Sequence, residues 1–218
     1  MSVLPVRWPP RRTTELTLPA RLRHMDQERM RRYRENLDFY EGRQWLGRPR
    51  RGERRLTFNY AKAFADKVTS YLLTGASVQI EARDGDTPEG RARARAAEQA
   101  LREVEAANGL AQLDFETELD CAVLGDAAYK VTWDPAERQV RVTAPDVQGI
   151  YAWRVPDDPS RLVALASQYT VEEAGPSGEP KRTTVTEYWT PKFFETWHGE
   201  ELVRRDPNPY GFIPFVLF

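Results

Sequence analysis

The chain has 218 residues, 40% hydrophobic and 30% charged, with a formal net charge of −1. That is length enough for one domain, or two small ones, around a buried core. The single cysteine, Cys121, excludes an intrachain disulfide and fits a reducing compartment. No apolar run approaches the roughly 18–20 residues that cross a bilayer, and the early arginines precede no signal-peptide core, so a cytoplasmic origin is the expectation.

Residues 1–20, with Pro5, Pro9, Pro10 and Pro19, read as an irregular basic arm, and residues 21–218 as one α+β domain. A helix is expected over about 21–41, with Leu22, Met25, Met30, Tyr33, Leu37 and Tyr40 as an imperfect stripe. Gly42 stops it, and Gly47, Pro49 and Gly52 break the arginine-rich loop that follows. The strongest helical signal runs over 59–74. Ala61, Phe64, Ala65, Val68 and Leu72 recur at three- and four-residue spacing, extended by Tyr60 and Tyr71. Asn59 is its N-cap and Gly75 its stop. This stripe is expected to face the core.

Val78, Ile80 and Ala82 alternate as a short half-buried strand, and Asp84 to Asp86 form a turn. Thr87 and Pro88 open a helix over 88–107 with a modest apolar face of Ala97, Leu101 and Val104. A further helix over 110–124 carries Leu113, Phe115, Leu119, Ala122 and Val123, and Gly125 ends it.

Residues 127–218 read as β. Strands 127–133 and 140–144 form a hairpin, which 147–153 is expected to extend. Strands 162–171 and 182–190 flank a Gly/Pro loop, and 193–197 and 202–204 flank a turn at His198 and Gly199. The chain closes on an apolar run, Phe215 to Phe218, which reads as a cut inside a domain or as a strand that needs a partner. Helices followed by an antiparallel meander give the α+β class, with the helices sheltering a pleated platform.

Charge is unevenly placed. Residues 1–55 hold 15 Arg, no Lys and 7 acids, a balance of +8, while residues 56–218 hold 17 basic and 26 acidic residues, a balance of −9. A guanidinium binds phosphate or carboxylate as a bidentate fork. The first segment can therefore serve nucleic acid, or pair with acids of this chain or of a neighbouring copy.

Catalytic and metal chemistry find little support. His24, His198 and Cys121 are too few for a structural zinc site, and Asp84 to Asp86 lacks the acidic spacing of a calcium loop. Cys121 lies in an apolar helix, His198 in a turn, and no phosphate-cradling loop with its lysine occurs. Asp114, Glu116, Glu118 and Asp120 read as a solvated or partner-facing helix side. The chain is expected to be neither an enzyme nor cofactor-dependent. Arg29, Arg31, Arg32 and Arg34, then Arg43, Arg48, Arg50, Arg51, Arg54 and Arg55, are interleaved with Tyr33, Phe39, Tyr40 and Trp45. The alternative reading is therefore a sequence-independent nucleic-acid-binding module over 29–55.

An ordered series of motifs carries a resemblance. It comprises Phe-Tyr-Glu-Gly at 39–42, the helix from Asn59 and Tyr60 to Tyr-Leu-Leu-Thr-Gly at 71–75, and Leu-Gly-Asp-Ala-Ala-Tyr-Lys-Val at 124–131. Ala-Pro-Asp at 144–146 and Asn-Pro-Tyr-Gly-Phe-Ile-Pro-Phe at 208–215 complete it. The series resembles the N-terminal half of portal proteins of tailed double-stranded-DNA bacteriophages. The resemblance implies a ring, usually of twelve subunits, at one capsid vertex, through which DNA is packaged and ejected. It implies assembly in the bacterial host cytoplasm and no membrane. The implied partners are further copies of the chain, the terminase motor, the major capsid protein, head-completion proteins and the DNA in the channel. This chain would supply mainly the wing; the stem, clip and channel loop of the family would follow Phe218, so a truncated C-terminus is expected. Arg43, Arg48, Arg50, Arg51, Arg54 and Arg55 are the expected subunit or DNA contacts, the basic segment of one copy meeting the acidic body of the next.

Overall fold

The computed structural model describes residues 16–43, 45, 47, 51–56, 58–72, 78–83, 87–174 and 179–218. Among these residues five helices precede eight strands: α1 (Leu18–Leu22), α2 (Gln27–Tyr40), α3 (Tyr60–Leu72), α4 (Pro88–Asn108), α5 (Leu110–Leu124), β1 (Ala128–Asp134), β2 (Gln139–Thr143), β3 (Ile150–Val155), β4 (Asp158–Ala174), β5 (Pro180–Trp189), β6 (Phe193–His198), β7 (Glu201–Pro207) and β8 (Phe215–Leu217). The strands form two antiparallel sheets, ordered β2-β1-β8 and β3-β4-β5-β6-β7. The α+β class stands.

Period-two alternation explains how β3, β4 and β5 carry two cores, because successive side chains leave opposite faces of a sheet. On one face Ile150, Leu165 and Trp189 join Tyr33 of α2, Leu124 of α5, and Ala128, Ile213 and Phe215 around the smaller sheet. On the other face Tyr151, Ala164, Ala166 and Tyr188 meet Leu22 of α1, with Leu18, Met25 and Trp153 beside them. Met30 of α2 reaches both clusters, so this helix straddles the sheet margin.

The β-hairpin at 134–139 and the tight turn at Gly199 form as read. The apolar close finds its strand partner inside the chain: β8 pairs with β1, Ala128 opposite Leu217. Phe218 N–H donates to the Ala127 carbonyl at 2.9 Å.

Four expectations need correction. The helix over 21–41 is two helices, and Leu18 to Ala20, assigned to the arm, belong to α1. Asp26 breaks the run by adopting a left-handed conformation, φ 51°, which a short polar side chain tolerates. Residues 78–82 form no strand; Ile80 and Ala82 are half-buried, but no neighbour supplies a ladder. Residues 147–149 form a single 3-10 turn, and β3 joins the larger sheet rather than extending the first hairpin. Finally, α3 packs on α5 and α2 with its apolar stripe pointing away from the body. The residues 73–77, 84–86 and 175–178, which include the expected stop at Gly75 and the turn from Asp84, lie outside the described residues.

Candidate functional site

Several residues of the family-like motifs prove to be joints. Asn208 is buried and makes three hydrogen bonds. Its Nδ2 donates to the carbonyls of Thr190 at 2.7 Å and Phe212 at 2.8 Å, and its Oδ1 accepts from Tyr210 N–H at 2.9 Å. The turn so fixed, with Gly211 at φ 70°, stacks Tyr210 on Trp189 at 6.3 Å between centroids. It also sends Ile213 and Phe215 into the core. Gly125, at φ 88°, closes α5 with its N–H on the Cys121 carbonyl, and Asp126 beyond it accepts from the Tyr33 hydroxyl. Burial and the Asp126 carboxylate push the Tyr33 hydroxyl up to about 12. Asp146 caps the 3-10 turn, accepting from Gln148 N–H at 2.9 Å.

The two sheets are joined at Glu187 on β5. Its carboxylate accepts from Lys130 Nζ of β1 at 2.6 Å, Trp189 Nε1 at 2.9 Å and the Tyr169 hydroxyl of β4 at 3.1 Å. Lys130 also lies over the Trp189 and Phe215 rings. A charge pair this enclosed holds only because both ions are hydrogen-bonded.

The start of α3 is tied to the end of α2. Asn59 is the N-cap as read: its Oδ1 accepts from Lys62 N–H at 3.1 Å, while its Nδ2 donates to the Tyr40 carbonyl at 2.7 Å. The Tyr40 hydroxyl donates to Asp66 at 2.7 Å and accepts from Lys62 Nζ at 2.6 Å. Thr69, 2% exposed, donates back to the carbonyls of Ala65 and Asp66. The inward side of α3 is thus small and polar.

The arginines divide. On α2, Arg29 turns inward and donates to the Tyr33 hydroxyl at 3.0 Å and the Ile150 carbonyl at 2.5 Å. Arg31 pairs with Glu28 and Glu35, and Arg32 with Glu28. Of the six expected contact residues, Arg48 and Arg50 lie outside the described residues. Arg43 pairs with Asp38 at 3.2 Å and with Glu41. Arg55 is held by Glu53 at 2.7 Å and by the Gly47 carbonyl at 3.0 Å, over the Trp45 ring. Arg51 and Arg54 are exposed and have no acidic partner among the described residues. Among the described residues Arg43 and Arg55 are held by acids of their own segment, while Arg51 and Arg54 are exposed.

Beside them lies a feature that periodicity found but misdirected. Phe58, Tyr60, Phe64, Tyr71 and Leu72 are each 62–75% exposed, and Leu56 and Val68 are exposed with them. The Phe58 and Tyr60 rings stack at 6.1 Å.

Among the described residues no group of His, Cys, Asp and Glu could hold a metal ion. Among the described residues no helix is long and apolar enough to cross a membrane. Both histidines are exposed. The Cys121 thiol is half-buried, and burial with the Asp120, Asp126 and Glu118 carboxylates pushes its pKa up, away from a reactive thiolate. Asp114 accepts from the Tyr129 hydroxyl and so ties α5 to β1, while Glu116 accepts from Gln112 on the exposed surface of the helix. A cleft of about 300 Å³ between Asp26, Arg29, Asp126, Val147 and Phe218 is the far side of the Arg29 joint.

The described contacts are structural joints inside the chain, with apolar and charged side chains exposed outside it. The chain belongs to the phage portal proteins: the family model described as "Phage portal protein, SPP1 Gp6-like" matches residues 20–218. Members of this family are structural virion components that form rings in the phage head. No curated protein matches the chain.

Proposed function

We propose that the chain is the wing part of a subunit of a portal ring, through which double-stranded DNA enters and leaves the phage head. The family match across residues 20–218 carries this reading. The joints described above support it, because Tyr40, Asn59, Asp126, Asp146 and Asn208 of the motifs each fix an element. On this reading the protein is not an enzyme, the ring is a dodecamer in the intact protein, and its partners are the terminase motor, the capsid protein and the head-completion proteins. It assembles in the host cytoplasm.

The exposed Arg51 and Arg54, with Arg48 and Arg50 between the same two helices, form a contact between subunits, and Arg43 and Arg55 brace that segment. The opposite balances of residues 1–55 and 56–218 supply the complementary charge. The test is electron microscopy of the intact protein, which should show closed rings with an axial opening. Reversing Arg50, Arg51, Arg54 and Arg55 to Glu should lower the ring fraction and make what remains more salt-sensitive. Only monomers in the unaltered protein would sink the ring reading, and intact rings in the reversed variant would sink the arginine contact alone. The nucleic-acid-binding module is the second reading, favoured by the exposed guanidinium groups of Arg51 and Arg54. It predicts duplex affinity that falls steeply with salt.

A further inference from the structure

We infer that the outward stripe of α3, with Leu56 and Phe58 ahead of it, is the apolar centre of the contact between neighbouring copies of this chain; this rests on the ring reading above. The helix is built with its polarity reversed for a monomer. Thr69 is buried and satisfied by backbone carbonyls, whereas Phe64, Tyr71 and Leu72 touch solvent. Tyr60, Phe64, Val68 and Tyr71 fall at three- and four-residue spacing, so they form one ridge. Phe58, stacked on Tyr60, lengthens it.

The size of the ridge identifies its occupant. Aromatic side chains bury on the order of 150–250 Å² each, so at the observed exposure the ridge offers about 800 Å², one partner's share of a stable protein interface. A typical monomer shows a largest apolar patch of only about 300–600 Å². The lysines of α3 are committed to Asp66 at 3.3 Å and to the Tyr71 ring, which disfavours a phosphate backbone as the occupant. Arg51 and Arg54, both exposed, immediately precede the ridge in sequence and put basic charge at that end of it. An apolar centre with a charged rim is the anatomy of a protein–protein contact. The residues after 55 balance at −9, so a second copy brings the matching charge. Copies in a ring dock one face on a different face.

The test uses the full chain. Because Phe64 and Tyr71 are mostly exposed, Phe64→Ser with Tyr71→Ser should leave the circular dichroism spectrum and the melting temperature unchanged. Self-association measured by sedimentation should weaken about 100-fold. In parallel, p-benzoylphenylalanine at position 64, irradiated in an equal mixture of ¹⁵N-labelled and unlabelled protein, should give cross-linked species containing one copy of each. Cross-links confined within one copy, or a double variant that associates as the parent does, would overturn the assignment while leaving the ring reading standing. A parent chain that never self-associates would overturn both.

Discussion

At the scale of single residues, two tyrosine hydroxyls record how the helices are sealed to the first hairpin. Tyr33 donates to Asp126, and Tyr129 donates to Asp114 at 2.5 Å. Burial first, and the carboxylate second, pushes each up to about 12 from an ordinary value near 10. Between these values the folded chain holds protons that the unfolded chain has released, so stability falls as pH rises. The contribution is complete below pH 10 and is lost through about pH 12. Tyr33→Phe should flatten part of this alkaline decline, read from urea midpoints between pH 9 and pH 12. Neither hydroxyl's partner was legible in the sequence. Tyr33 could be placed on a buried stripe, but Asp126 is distant in sequence and brought near only by the tertiary fold.

At the scale of elements, a close approach decides where β3 begins. A Cβ on Gly149 would stand 2.0 Å from the Gln168 carbonyl oxygen of β4. Gly149→Ala should therefore cost about 3 kcal/mol, since backbone must move to admit the methyl, and denaturant unfolding measures it. Local signals fixed most element boundaries. Thr87 accepts from Gly90 N–H at 3.0 Å, with Pro88 opening α4; Gly109 and Gly125 stop their helices in left-handed conformations. What failed was direction and partnership. Spacing put Phe64, Val68 and Tyr71 on one side of α3 but carried no statement of which side the subunit would cover. Ile80 and Ala82 had the rhythm of a strand with nothing to pair with. The break at Asp26 was hidden because Met25 and Met30 continue an apolar pattern across it.

For the whole molecule, cooperativity hinges on Glu187. The smaller sheet touches the larger through Lys130, Phe215 and Ala128, and the ion pair between Lys130 and Glu187 is 22% and 15% exposed. Glu187→Ala leaves a lysine charge enclosed among Trp189 and Phe215 without its counter-ion. The expected loss is about 3–5 kcal/mol, seen in thermal melts as one lowered transition, because Trp189 and Phe215 belong to a single side-chain layer. Two separate transitions would show that the sheets fold independently. The overall class was legible from helices preceding a meander. The division into two sheets was not, because it depends on where β8 docks, and three residues carry no information about which strand they will find.

One side chain at the end of α4 has a consequence for how copies can crowd together. Asn108 donates from Nδ2 to the Val140 carbonyl and accepts on Oδ1 from Val142 N–H, at 2.9 and 2.8 Å. It thereby occupies backbone groups on the outer margin of β2 that an invading strand would need. Adjacent molecules meeting at that margin find it stoppered and engage it through side chains, which favours a finite assembly over runaway fibre growth.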